Sequence, residues 1–168
     1  PAGFIIHSAF HMARADAQCV IHWHSPAGMA IAQLADGLEF NHFVACQFYG
    51  RLAYHDFEGL TLDPDEQSRL LAHFGPDAVA MILRNHGMLV IGRTVGEAVW
   101  RAFNLERMCD VQLRAMATGA KRVTPAPAIL EKSARQVQGL EDRGLDLGGT
   151  VLAALMKKLD RKDPGYRS

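Results

Sequence analysis

The sequence lacks several features that would place it in a broad class of protein. Its longest apolar runs fall far short of the ~20 residues that cross a bilayer, and its N-terminus lacks the pattern of a secretory signal peptide. Lys and Arg number 18, and Asp and Glu also number 18, so no basic field favours nucleic acid or an anionic membrane. We therefore expect no nucleic-acid partner and no membrane association.

Cysteine is also scarce. The 168 residues include three, Cys19, Cys46 and Cys109, and an odd, widely spaced set does not fit a disulfide framework. This pattern favours a reducing compartment, so we expect a cytoplasmic protein. The length is typical of one domain.

Histidine, in contrast, is concentrated in one half of the chain. All eight histidines fall within the first 86 residues, at His7, His11, His22, His24, His42, His55, His73 and His86. No histidine-rich tract accounts for this distribution. The spacing of the histidines along the chain therefore indicates which of their side chains can converge in space.

The order of short apolar and helical patterns predicts an α/β fold. Residues 18–24 are β-branched and aromatic, and residues 78–83 form a continuous apolar run, so both predict strands. The turn residues Asn85, His86 and Gly87 predict a hairpin to a strand over 88–91. Because helical patterns separate the other strands, we expect a mixed sheet between helical layers.

Two histidines lie two residues apart on the first predicted strand. Alternation along a strand places the side chains of His22 and His24 on the same face, close to the strand's end. His86 ends another buried strand, where Gly87 is expected to allow the tight backbone that turns its ring inward. Three neutral imidazoles form the ligand set of many catalytic zinc sites. The alternative is a group of surface or hydrogen-bonded histidines without a metal.

Two motifs resemble one known family. His22-Trp23-His24-Ser25-Pro26-Ala27, followed by Leu83-Arg84-Asn85-His86-Gly87, resembles the class II aldolase/adducin family. Residues 1–4, 7–9 and 53–59 resemble its adducin-like, bacterial-type branch. The resemblance covers about residues 1–120 and implies a three-layer α/β/α subunit with a mixed, largely antiparallel central sheet. It also implies that His22, His24 and His86 bind a divalent cation, usually Zn²⁺, with Mn²⁺, Fe²⁺ or Co²⁺ as alternatives.

The resemblance further implies an activity and an assembly. Enzymes of this family cleave an aldol bond or remove a carboxyl group from a small hydroxy-carbonyl substrate through a metal-stabilised enediolate. They are commonly homotetramers with sites at subunit interfaces. A non-catalytic interaction module, as in adducin, that keeps the histidine cluster is the alternative function.

The sequence departs from the family where a base is expected. Sugar-phosphate aldolases of the family have a glutamate at the position of Gly3, and dehydratase-like members have one about twenty residues after the second ligand, where residues 41–48 contain none. This favours a decarboxylase, or an aldolase of a non-phosphorylated compound, over a sugar-phosphate aldolase.

Other residues are candidates for moving a proton. His7 and His11 lie one turn apart on a predicted helix, where they either act as proton carriers or serve packing. Tyr166 resembles the C-terminal tyrosine that some aldolases of the family contribute to a neighbouring subunit's site, although packing is the ordinary role of such a residue. The loop carboxylates Asp56 and Glu58 reach the metal or are solvated. Cys19, on the opposite strand face from His22, is expected in the core.

A break at Pro125 and Pro127 divides the chain. We expect residues 1–122 to form the class II aldolase/adducin domain, with its N-terminal part preceding Pro1, and residues 123–168 to form a helical extension of the same domain. The last predicted helix, over 151–159, has an apolar stripe that packs either on its own domain or on a neighbouring subunit. In the second case it carries Tyr166 and Arg167 towards the neighbour's metal.

Overall fold

The chain folds around a four-stranded sheet in the computed structural model, which describes residues 2–60 and 63–167. Pro1, part of one motif above, and the side chain of Arg167 lie outside the described parts. The strands are β1 (Cys19–Trp23), β2 (Leu52–His55), β3 (Ala80–Leu83) and β4 (Gly87–Gly92). Their order across the sheet is β1-β4-β3-β2.

The sheet is mixed and mainly antiparallel, as predicted. β4 runs antiparallel to both β1 and β3, while β2 is parallel to β3. Trp23 pairs with Met88 at the end of β1, so that end lies beside the beginning of β4. The predicted hairpin between β3 and β4 is confirmed.

The described residues form six helices: α1 (Ala2–Ala13), α2 (Pro26–Ala32), α3 (Glu66–Phe74), α4 (Val95–Ala117), α5 (Pro127–Asp142) and α6 (Leu147–Lys162). Two 3₁₀ segments cover Phe43–Phe48 and Pro164–Arg167. One apolar cluster joins α1 and α3 to one face of the sheet, and a second joins α2 and α4 to the other face. The predicted three-layer α/β/α architecture is therefore confirmed.

Alternation along each strand produces the two clusters. On β4, Leu89 and Ile91 pack in the cluster with α1 and α3, whereas Met88 and Val90 pack in the cluster with α2 and α4. All four are fully buried, which explains the continuous apolar run in a strand covered on both faces.

Several boundaries differ from the predicted ones. β1 ends at Trp23, so His24 follows the strand, because Ser25 begins the next helix as its N-cap and accepts a hydrogen bond from the N–H of Gly28 (3.0 Å). Helix α6 begins at Leu147 rather than Val151, since Asp146 caps it.

The two C-terminal helices pack back on the rest of the chain. Helix α5 packs on the first 3₁₀ segment, and α6 crosses α4. A Cβ atom at Gly148 would collide with the backbone of Gly96, so glycine permits the close crossing. Farther along α6, Leu155 and Leu159 stay 45% and 39% exposed. The assignment of residues 123–168 to the same domain stays a prediction.

No helix within the described ranges is both long enough and apolar enough to span a membrane.

Candidate metal centre

The three histidines singled out by the sequence converge in the structure. His22 lies on β1, His24 follows it, and His86 lies in the turn that joins β3 to β4. One potential ligand atom from each residue lies within 4.8 Å of those of the other two. The ring centroids of His22 are 4.5 Å from His24 and 4.9 Å from His86. Antiparallel pairing of β1 with β4 creates this proximity.

The turn that presents His86 is held by hydrogen bonds on several sides. The N–H of His86 donates to the carbonyl of Leu83 (3.0 Å), and the N–H of Asn85 donates to the carbonyl of Ala32 in α2 (3.0 Å). Asn85 has a φ of 56°, the left-handed conformation that asparagine tolerates better than most residues. These contacts fix the direction of the His86 backbone.

Gly87 is needed for a different reason from the predicted one. It is not among the glycines with positive φ, so the turn does not use its conformational freedom. A Cβ atom at this position would lie 2.5 Å from the carbonyl oxygen of Trp23 and 2.7 Å from Cδ2 of His24. Glycine is therefore required because β4 begins in contact with the ligand pair.

The tautomer of His22 is set by its neighbour across the sheet. Nδ1 of His22 lies 2.9 Å from the carbonyl oxygen of Met88, and because a carbonyl only accepts, Nδ1 carries the proton. This leaves the lone pair on Nε2. Hydrogen bonds of this kind orient the histidines of most protein metal sites.

Two of the three rings, those of His22 and His86, have a lowered pKa and are uncharged near neutral pH. Burial, followed by the charges of His86 and His24, lowers the pKa of His22 to about 4. Burial, followed by His24, also lowers the pKa of His86. Unprotonated imidazoles have a free lone pair for a cation.

The donor set fits a borderline transition metal. Three imidazole nitrogens suit Zn²⁺ and related divalent cations, whereas Mg²⁺ and Ca²⁺ prefer oxygen ligands. His24 is exposed and the other two rings are half-buried, so the cluster is accessible to a small molecule. Phe57 lies beside it, its ring 6.4 Å from that of His86.

The two histidines of α1, His7 and His11, have different surroundings in the structure. His7 lies on α1, which covers the same sheet face as His22, and its charge contributes to lowering the pKa of His22. Burial, followed by the charge of His11, lowers the pKa of His7 itself. His11 is exposed, and its ring donates to the carbonyl of Ala17 (2.7 Å). His7 is therefore the better placed of the two, and its catalytic role stays a prediction.

The loop carboxylates pair with arginines instead of the cluster. Glu58 accepts a hydrogen bond from Arg69 (2.6 Å), and Asp56 lies 3.5 Å from Arg84. In both contacts an arginine pairs with the negative charge that the carboxylate would otherwise offer to a metal.

Tyr166 and Cys19 occupy unremarkable positions within the chain. The Tyr166 hydroxyl donates to Asp160 of α6 (2.6 Å), and its predicted role at a neighbouring subunit's site is not tested by this contact. Cys19 is only half-buried, because β1 is an edge strand, so the expectation that it lies in the core was too strong.

Sequence reasoning missed two features around the site. Glu106 of α4 accepts hydrogen bonds from the indole of Trp23 (3.0 Å) and the hydroxyl of Ser25 (2.5 Å). The buried His55 also pairs with the exposed His73, with their Nδ1 atoms 2.8 Å apart. No periodic pattern in the sequence predicts either pairing, because the partners lie far apart in the chain. Glu106, for example, is 81 residues from Ser25.

Comparison with known sequences shows one clear similarity. Residues 1–113 match the model of the Class II Aldolase and Adducin N-terminal domain. A Caulobacter vibrioides protein, provisionally described as an aldolase class 2 protein, is 40% identical over 166 residues, covering 99% of this chain and 63% of that protein. Alpha-adducin of Rattus norvegicus is 39% identical over 117 residues, covering 70% of this chain and 16% of adducin. The chain thus spans less than two thirds of these relatives.

Solved structures show the same similarity. An aldolase II superfamily protein from Pseudomonas syringae superposes with a TM-score of 0.88 at 36% identity, covering 99% of this chain and 65% of that one. L-fuculose 1-phosphate aldolase from Glaciozyma antarctica gives a TM-score of 0.69 at 31% identity, covering 80% and 50%.

Proposed function

Because this chain belongs to the Class II Aldolase and Adducin N-terminal domain family, we propose that it forms the metal-binding part of a lyase. The enzyme would use a divalent cation to cleave an aldol bond in a small hydroxy-carbonyl compound, or to decarboxylate it. The observation that carries the proposal is the convergence of three imidazoles, from His22, His24 and His86, within 4.8 Å.

The three histidines would hold the cation, with Zn²⁺ as the first candidate. When bound, the cation supplies a Lewis acid that polarises the substrate carbonyl and stabilises the negative charge developing as the bond breaks. His22 keeps its lone pair directed into the site through its bond to Met88. The exposure of His24 leaves room for a substrate to approach, and the half-exposed Phe57 offers an apolar contact beside His86.

The proton transfer needs a residue other than the family's glutamate, because Gly3 stands at that position. We propose His7, whose lowered pKa keeps it unprotonated and able to accept a proton near neutral pH. The absence of the glutamate favours a decarboxylase, or an aldolase of a non-phosphorylated compound.

A second candidate function has its own support. The similarity to alpha-adducin covers 117 residues at 39% identity, which is 70% of this chain. On this alternative the chain is a non-catalytic interaction module that keeps the histidine cluster.

A substrate panel distinguishes the two functions. Purified protein, reconstituted separately with Zn²⁺, Mn²⁺, Fe²⁺ or Co²⁺, is assayed against hydroxy-acids and ketoses with and without a chelator. We expect turnover that the chelator abolishes and that the variant His22→Ala/His24→Ala lacks. Metal binding without turnover of any compound would favour the interaction module.

We also propose that the protein is a homotetramer in which Tyr166 serves a neighbouring subunit's site. The exposed apolar residues Leu155 and Leu159 on α6 support this, because a second copy would cover them. The variant Leu155→Gln/Leu159→Gln should sediment as a smaller species, whereas Lys158→Gln on the same helix should not. An unchanged sedimentation coefficient for the double variant would contradict the assembly.

A further inference from the structure

We infer that Glu106 is a positioning residue for the metal centre, acting through the backbone on both sides of His24. This inference rests on the proposed function, since it concerns the same cluster. One carboxylate oxygen, Oε2 of Glu106, accepts from the indole N–H of Trp23 (3.0 Å) and from the hydroxyl of Ser25 (2.5 Å). These two residues directly precede and follow His24.

His24 depends on this support more than His22 does. The His22 ring is fixed by its own hydrogen bond to Met88 (2.9 Å), whereas within residues 2–60 and 63–167 no hydrogen bond reaches the ring of the exposed His24. His24 also lies beyond the last residue of β1, so sheet hydrogen bonds do not hold it. Its position must therefore come from the chain on either side.

Glu106 connects this segment to the rigid part of the fold. It lies on α4, whose neighbouring residues Leu105 and Cys109 are fully buried in the cluster shared with the sheet. The Ser25 hydroxyl donates to Glu106 and accepts from the N–H of Gly28 (3.0 Å) in the first turn of α2. The carboxylate thus joins α4, the end of β1 and the beginning of α2 at the point where the ligand pair is presented.

The functional consequence is control of ligand spacing. Supporting contacts around metal ligands typically change metal affinity by 10–100-fold when they are removed. The two hydrogen bonds need an acceptor oxygen at this position rather than a negative charge as such. A glutamine side chain can supply that oxygen, whereas methionine fills the same space without it.

The experiment compares Glu106→Met, Glu106→Gln and Trp23→Phe with wild-type protein. Asp110→Asn is the matched control, because Asp110 lies one turn along α4 and pairs only with the exposed Arg114 (2.8 Å) among the described contacts. The affinity for Co²⁺ is measured from its visible absorption bands, and the thermal midpoint is measured without metal. We expect a loss of roughly tenfold or more in Co²⁺ affinity for Glu106→Met, a smaller loss for Trp23→Phe, and near wild-type affinity for Glu106→Gln.

Three results would overturn the inference. They are unchanged affinity in Glu106→Met, an equal loss in Glu106→Gln, and an equal loss in Asp110→Asn. A shift in the spectral bands of Glu106→Met should accompany the loss, because a merely destabilised protein would bind Co²⁺ in the same geometry.

A metal-free measurement separates this inference from the proposed function. Hydrogen exchange of the Gly28 amide, which is bonded to Ser25, should be faster in metal-free Glu106→Met and unchanged in Glu106→Gln. If wild-type protein binds no divalent cation, the proposed function fails, and the exchange result alone decides whether Glu106 orders this segment.

Discussion

Two groups of histidines lie near the same end of the sheet, on opposite sides of β3. His22, His24 and His86 lie where β1 meets β4, with their ring nitrogens close together and the pKa of His22 lowered to about 4 by burial and its neighbours. His55 ends β2 and contacts His73 of α3, where the Nδ1 atoms of the two rings share a hydrogen bond of 2.8 Å.

The two groups consist of the same residue type but differ in the protein groups that face their ring nitrogens. Nε2 of the buried His55 lies 3.5 Å from Glu66 and 3.7 Å from Glu58, so both of its ring nitrogens face protein groups. The three-histidine cluster has no such carboxylate among the contacts of its described residues. A group of histidines is available to a metal when the surrounding residues leave the lone pairs of the ring nitrogens free. The residue type alone does not show whether they do.

Removing two ligands should have the largest effect. We expect purified His22→Ala/His24→Ala to lose nearly all bound metal, from about one ion per chain, because one imidazole cannot hold a divalent cation tightly. Elemental analysis measures this directly. His55→Ala is the control and should keep its metal. An equal loss of metal in both variants would show that the two histidine groups do not differ in metal binding.

Adding a methyl group at Gly87 should damage the cluster without removing a ligand. The new Cβ of Gly87→Ala would press on Trp23 and His24, so we expect a loss of about 1–3 kcal/mol in the free energy of unfolding together with weaker metal binding. Urea denaturation and chelator competition measure the two effects.

The matched control is Gly139→Ala on α5, where no atom lies within 4 Å of the new Cβ. That variant should gain up to about 1 kcal/mol, because alanine is the better helix former. Equal behaviour of the two variants would show that Gly87 is not sterically constrained.

Giving the three-histidine cluster a carboxylate would make the two groups more alike. The position of Gly3 on α1 has open space around it, and by the family resemblance the sugar-phosphate aldolases have a glutamate there. We expect Gly3→Glu to raise Zn²⁺ affinity roughly tenfold, the scale of one charge-assisted contact. Gly3→Gln is the control of the same length without charge, and a chelator competition in which both variants match wild type would reject the idea.

The smallest expected effect is a pH dependence of stability from the His55 pair. Burial, followed by the charge of His73, lowers the pKa of His55 in the folded protein. The unfolded chain therefore takes up a proton near pH 6.5 that the folded chain resists. The stability is complete above that pH and is lost as the pH falls towards the folded pKa.

His7, His22, His42 and His86 have pKa values shifted in the same direction, so wild-type protein should lose stability between pH 7.5 and pH 5. His55→Gln should show a shallower decline in urea denaturation over this range. An unchanged slope would mean that His55 does not resist protonation in the folded state.

The sequence by itself determined three of the four strands, the layered α/β architecture and the three histidines that the structure brings together. Strand alternation predicts that His22 and His24 share one face, although β1 itself ends at Trp23. The Asn85–Gly87 turn predicts the hairpin that presents His86. The strands and the hairpin depend on local backbone geometry and on short-range spacing, so they can be derived without knowing what lies across the fold. The grouping of His86 with His22 and His24 rests in addition on the family resemblance of the two motifs.

Only the tertiary structure decided which groups surround those ligands. The hydrogen bonds of Glu106 to Trp23 and Ser25 and the pairing of His55 with His73 join residues far apart in sequence. The same is true of the steric requirement for Gly87, which arises because β1 and β4 meet at the ligand pair. Such contacts follow from how the layers pack, and no periodicity in the chain encodes them.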